Sequence, residues 1–357
     1  MKSNFDILGN HIRLIDIRNR ESITDRVLGI NIDKFFMPSV ANVIGTDLSK
    51  YKLITKGKFA CNPMHVGRDE RLPVALYDEE EPAIVSPAYF MFEVIDNSIL
   101  NEDYLMMWFR RPEFDRICWL HTDGSVRGGI TWDDICRLEL PIPPIEKQLE
   151  IVNSYKAITE RIVLKQKIND NLDDTAQTLY QKYFESNSDK SSWKQGTVGD
   201  VLQLQRGHDL PRTEMTGGKY PVAGSTGTIG YHDEFTAEAP VIVMGRSGNI
   251  GNPRLYLCNC WTHNTSLYVK QIYEAEPLWV FYLLKNLNYD GFVGGSAVPT
   301  LNRNDVHAYG IAIPPLELQK SFSQKVMSLI YCKEENLSEI EKLQELQKII
   351  LTTMSSR

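Results

Sequence analysis

Among the 357 residues, the side chains able to ligate, attack or pair charge come in few groupings. Cys258, Cys260 and His263 stand together in CNCWTH, but the Cys-x-Cys has no second ligand pair elsewhere. Buried thiols beside a strand-end histidine are therefore expected there, rather than zinc. The Gly-rich MGRSGNIGNPR (Met244–Arg254) lacks the lysine and the apolar helix that a phosphate-cradling loop requires, and reads as a tight turn near a ligand backbone. There is no G-x-S-x-G elbow, no H-E-x-x-H, and no Asp/Asn-Pro-Pro-Tyr/Phe motif for holding a flipped base. Without a catalytic constellation, the expectation is a binding protein with no metal and no cofactor of its own.

What recurs is long polar side chains in loop-like surroundings. KYKLITKGK supplies Lys50, Lys52, Lys56 and Lys58, either as a phosphate-facing edge strand or as an edge guarded by lysine. HVGRDER (with His65, Arg68 and Arg71) and VMGRSGN (with Arg246 and Asn249) align in the register that places Val66 on Met244 and Arg68 on Arg246. An arginine in a Gly-flanked loop can reach a guanine edge bidentately. TLNRND, with Asn302 and Arg303, aligns with GITWDD. Arg127, Arg206, Arg212 and Arg254 complete the candidate DNA contacts.

Charge limits how such contacts can work. The net charge is −7, and residues 1–144 carry 17 basic against 22 acidic side chains, residues 193–313 carry 9 against 10. A protein that grips nucleic acid unaided is usually more basic. If DNA is the ligand, a partner is expected to supply much of the electrostatic grip. Neither a secretory signal nor an apolar run of roughly 18 residues is visible, and six scattered cysteines suit a reducing compartment. The expected location is cytoplasmic.

The elements that must position these side chains are written twice. Sliding the sequence against itself until Pro143 meets Pro314 aligns PIPPIEKQLEIV (Pro141–Val152) with IAIPPLELQKSF (Ile311–Phe322). The identical pairs are Ser125/Ser296, Asp134/Asp305, Ile142/Ile313, Pro143/Pro314, Pro144/Pro315, Glu146/Glu317 and Gln148/Gln319. The prolines force an extended approach to a helix start, and the glutamates place negative charge at the positive end of its dipole.

Two long helices follow. In the first, Ile151, Tyr155, Ile158, Ile162, Leu172 and Leu179 recur at alternating spacings of four and three; in the second, Phe322, Val326, Leu329, Ile340, Leu343 and Ile350 do so. This predicts a coiled-coil seam in which Lys165 and Asn169, and Lys333 and Asn336, are polar interruptions that fix register. The alternative is two amphipathic helices, each packed on its own domain. The expected organisation is α+β with an internal pseudo-two-fold repeat. Residues 1–143 and 187–313 form two mixed α/β domains, separated by antiparallel spacer helices over 144–186 and 314–357.

This chain resembles, over essentially its whole length, the specificity subunit of type I restriction-modification systems. The resemblance is carried by the doubled Pro-Pro phrase with its helices, by LGINIDKFFMPSVANVIGTDLSKYKLITKGKFACNP and SPAYFMFEV in the first block, and by WKQGTVGDVLQLQRGHDLP in the second. It implies two target recognition domains, each reading one half of a bipartite double-stranded DNA site, held apart by the helix pair. It also implies a non-catalytic chain that docks two adenine-methylating modification subunits, which use S-adenosylmethionine, and serves ATP- and Mg-dependent restriction subunits in phage defence. The chain is somewhat short for that family, and its second block is shorter than its first. The competing expectation is a stand-alone DNA-binding regulator.

Overall fold

Both variable blocks are written in short apolar runs broken by Gly, Pro and Asp, and they fold as short strands. A computed structural model describes residues 5–40, 43–64, 66–122, 128–289, 292–294 and 300–354. Two compact units result, residues 1–164 with 339–357, and residues 165–338. Each long helix thus contributes one part to each unit.

In the first unit the strands are β1 (Phe5–Ile7), β2 (Ile12–Leu14), β3 (Val27–Ile30), β4 (Phe36–Pro38), β5 (Lys52–Ile54), β6 (Phe59–Cys61), β7 (Val74–Leu76), β8 (Ala83–Val85), β9 (Phe90–Val94) and β10 (Glu139–Pro141). The helices are α1 (Val66–Asp69), α2 (Glu102–Phe109), α3 (Pro112–Leu120), α4 (Trp132–Cys136) and the long α5 (Ile145–Tyr180), which runs on into the second unit. One sheet has the order β2-β9-β6-β7, a second the order β4-β3-β8-β5, and β1 pairs with β10. Asn101 begins α2 by accepting from Tyr104 N at 3.0 Å, and a Thr131/Asp134 capping box begins α4. The core lies between the first sheet and α2 with α3, where Phe59, Phe92, Phe109 and Phe114 are essentially inaccessible.

The second unit contains β11 (Lys194–Thr197), β12 (Leu202–Arg206), β13 (Tyr220–Gly224), β14 (Gly227–His232), β15 (Val241–Gly245), β16 (Gly251–Tyr256), β17 (Trp261–Thr262), β18 (Ser266–Ile272), β19 (Val293–Gly294), β20 (Thr300–Leu301) and β21 (Gly310–Ile313). Its helices are α6 (Pro277–Asn286), α7 (Arg303–His307) and α8 (Leu316–Thr353), of which the last ends in the first unit. Its main sheet, β12-β18-β15-β16, repeats the order of β2-β9-β6-β7, and β11 pairs with β21 as β1 does with β10. The repeat read from the sequence is therefore a repeat of topology.

One part of the self-alignment needs correction. Ile130 and Leu301 are equivalent in the repeat; Ile130 N donates to Pro63 O, whereas Leu301 N donates to Arg246 O. The strand registers agree, Cys61 facing Phe90 and Met244 facing Leu267. Arg246 thus occupies the place of Pro63, and the register that matched it with Arg68 is wrong there. Arg68 lies on α1, in an insertion peculiar to the first unit.

The helices combine both seam readings. In the first unit Ile158, Ile162, Ile340 and Leu343 form a small cluster between α5 and α8, flanked by a bond from Gln347 Nε2 to Thr159 Oγ1 at 2.7 Å. Ile151, Tyr155 and Ile350 instead pack into the core of that unit. In the second unit Lys165 Nζ donates to Asn336 Oδ1 at 2.8 Å, and Asn336 Nδ2 to Asn169 Oδ1 at 2.9 Å; Lys333 pairs with Asp173. The rising numbers on α5 against falling numbers on α8 make the pairing antiparallel. Phe322 and Val326 are buried in the core of the second unit, with Leu179 and Leu329 packed against it; Leu172 is only half-buried. The sequence pattern predicts one seam along both helices, broken by the polar residues, but the outer turns of each helix find larger apolar surfaces on the sheet domains.

Candidate nucleic-acid interface

Four of the fifteen candidate contacts converge. Arg206, Arg246, Asn302 and Arg303 line one cavity of about 480 Å³ in the second unit, with Thr300 and Leu301. Arg206 ends β12 opposite Leu267 of β18, which in turn faces Met244 of β15, so Arg206 and Arg246 issue from the same end of the main sheet. The backbone of Arg246 is held on both sides, its N donating to Thr265 O at 3.0 Å and its O accepting from Leu301 N at 2.8 Å. Gly245 permits the turn beyond it, since a Cβ there would meet the carbonyl oxygen of Asn249 at 1.5 Å.

Arg303 is the first residue of α7, behind the cap made by Asn302, which accepts from Asn304 N at 3.0 Å. The far end of that helix is pinned where His307 Nε2 accepts from Leu204 N at 2.9 Å. Burial holds the His307 imidazole below its usual pKa, and the charge of Arg303 adds to the effect. No carboxylate lines the cavity among the described residues; Arg206 pairs with Asp209 at 3.4 Å, and both are exposed.

The equivalent place in the first unit is chemically different. Trp132 stands in the repeat where Arg303 stands, and its ring meets Phe90 at 5.8 Å and Phe92 at 5.4 Å between centroids. Pro63 replaces Arg246. Edge-on and tilted aromatic rings stand at the position that arginines line in the other half.

The remaining candidates are dispersed. Lys52 is a correction: it is buried, donates to Tyr89 O at 2.6 Å, and has its pKa lowered by desolvation, so it faces inward from β5 rather than toward phosphate. Lys56 and Lys58 pair with Glu80 and Glu93, and the exposed Lys50 sits 3.6 Å from Asp47. Arg68 bonds Asp69 at 2.7 Å and Arg71 bonds Asp33 at 2.9 Å. Arg71 borders a larger cavity of about 650 Å³, but Asp33, Asp69, Glu70 and Asp115 line it beside the cations, which leaves little charge for an anionic ligand. Asn249 spends its side chain within the protein, donating to Ser225 O of the β13–β14 turn and accepting from Asn252. Arg212 and Arg254 are exposed, the latter against Gly227. His65 and Arg127 lie outside the described residues. Cys258 is exposed while Cys260 is buried, and among the described residues no three His, Cys, Asp or Glu side chains are grouped to hold a metal.

The sequence reading missed the role of one duplicated residue. Gln148 is fully buried; its Oε1 accepts from Asn101 N at 2.9 Å, and its Nε2 donates to Ile99 O and Pro143 O, both at 2.8 Å. Gln319 repeats the arrangement, accepting from Glu276 N at 2.9 Å and donating to Pro314 O at 2.8 Å. Each glutamine ties the start of a long helix to the start of the domain helix, α2 or α6. The signal was present in the identity of the pair at the same place in both phrases.

Residues 190–349 match the family described as "Type I restriction modification DNA specificity domain". Among solved structures, the chain is similar to the type I restriction-modification system S subunit from M. genitalium at 16% identity and a TM-score of 0.60, covering 100% of this chain and 97% of that one. It is also similar, at 16% identity and a TM-score of 0.52, to a chain from a study of complex assembly and conformational transition of the type I R-M system, covering 98% and 96%. No curated protein sequence matches. No helix among the described residues is long and apolar enough to cross a membrane.

Proposed function

We propose that this chain is a type I restriction-modification specificity subunit, in general a non-catalytic family, and that its two sheet domains read the two halves of an asymmetric, bipartite DNA site. The observation that carries the asymmetry is the exchange at one equivalent place, Arg303 and Arg246 in one half against Trp132 and Pro63 in the other. Halves that have diverged this far do not present the same surface to DNA, and the full site is not a palindrome. The antiparallel helix pair sets the spacing between half-sites and docks two modification subunits. Those partners methylate adenine with S-adenosylmethionine, and restriction subunits that consume ATP with Mg join them in the cytoplasm of a bacterial or archaeal cell. Partner surfaces also account for DNA engagement by a chain of net charge −7. The family match does not favour a stand-alone DNA-binding regulator.

Single-molecule methylation sequencing of a host with and without this gene tests the reading, and the expected signature is one gapped, non-palindromic motif that disappears with the gene. Inserting four residues near both Lys165 and Lys333 adds about 6 Å of helix. The gap should lengthen by about two base pairs at roughly 3.4 Å each, while the bases read at either end stay the same. An unchanged gap in an assembled, active complex would sink the spacer role.

A further inference from the structure

We propose that the cavity formed by Arg206, Arg246 and Arg303 is a clamp for a DNA backbone phosphate, belongs to the second half-site alone, and positions that half without reading its bases. This rests on the DNA-reading function above and assigns a ligand group to one of its surfaces. Three arginines lining about 480 Å³, with no carboxylate among the described lining residues, bring positive charge together that an uncharged base edge cannot neutralise. A phosphodiester can, and its oxygens accept the paired N–H donors of guanidinium in the geometry that arginine presents. Base reading by arginine typically occupies one side chain per guanine, so three arginines around one space suit an anion better.

The scaffold is also that of a positioning contact. Two of the arginines leave the ends of strands in one sheet and the third opens a capped helix, with the Arg246 backbone fixed from both sides. Elements held in this way keep the cationic groups in place before the ligand arrives, as a rigid anchor requires. In the first unit the corresponding position is filled by Trp132 against Phe90, so the anchor has no counterpart there.

The test uses the full chain assembled with its modification subunits and a duplex carrying the motif found by methylation sequencing. Neutralising all three residues (Arg206→Gln, Arg246→Gln, Arg303→Gln) should make the slope of log affinity against log salt shallower by at least about 0.9, the contribution of one phosphate. The methylated motif should stay the same, and thermal unfolding should show that the variant remains folded. Lysine at the same three positions should restore the slope, because a point charge serves a phosphate but not a bidentate base contact. An unchanged slope in a folded, assembled variant overturns the clamp. So does a motif relaxed at one base that lysine fails to rescue, which would make these arginines base readers. Absence of site-specific binding by the unmodified complex would instead overturn the DNA-reading function itself.

Discussion

Replacing Gln148 by leucine should remove the joint between α5 and the first sheet domain. Three hydrogen bonds of 2.8–2.9 Å converge on a side chain with 0% exposure. At about 1 kcal/mol net for each, the loss is roughly 3 kcal/mol. Gln319→Leu breaks two such bonds and should cost about 2 kcal/mol. Since the chain has two units, a single denaturation midpoint is not guaranteed to be two-state, and the better readout is local. Amide exchange at Asn101 should accelerate in Gln148→Leu while Glu276 stays protected, and the converse should hold for Gln319→Leu. Gln148→Glu keeps the acceptor but turns the donor into an oxygen facing two carbonyls. It should be no better than leucine near neutral pH and should recover partly on acidification, when protonation restores a donor. If Gln148→Leu lost less than about 0.5 kcal/mol and Asn101 exchange did not change, the glutamine would be a passenger in the repeat.

The Asn169–Asn336 contact should behave as a register device. Asn336→Leu alone takes the donor from Asn169 Oδ1 and one acceptor from Lys165 Nζ and should cost about 1–3 kcal/mol, while leucine at both positions should recover the Asn169 part and leave the Lys165 part; equal losses in the single and double variants by a double-mutant cycle would refute the Asn169–Asn336 pairing. His307 has a folded-state pKa below its unfolded value, so protons bind the unfolded chain more readily. Stability of the second unit should therefore fall as pH drops below about 6.5 and level off once the folded-state pKa is passed; a denaturation series against His307→Gln, which should lack this fall, checks the sign. Lys34, buried and bonded to Asp115 at 2.7 Å, cannot lose its charge partner cheaply, and Asp115→Ala should destabilise the first unit by about 3 kcal/mol in urea unfolding.

Much of this protein is determined by its sequence. The doubled Pro-Pro phrase fixes where two helices begin, because proline suits the first turn and the residues before it must be extended. The polar breaks at Lys165, Asn169 and Asn336 are legible because a charge or an amide inside an apolar period is costly unless it meets a polar group across the helix pair. Tertiary structure decided which cationic side chains act together. Lys52 and Arg206 are both basic residues of edge strands, yet one is desolvated against Tyr89 and the other opens into a cavity with Arg246 and Arg303. Sequence spacing gives a strand's period, but strand register decides which residues meet across a sheet. A few residues inserted before one strand moved the partner of Arg246 from Arg68 to Pro63. Gln148 and Gln319 show the same limit from the other side. Their repetition is visible in one dimension, but the amides and carbonyls they join lie far off in the chain or at the helix start, and only folding brings those groups within hydrogen-bonding reach.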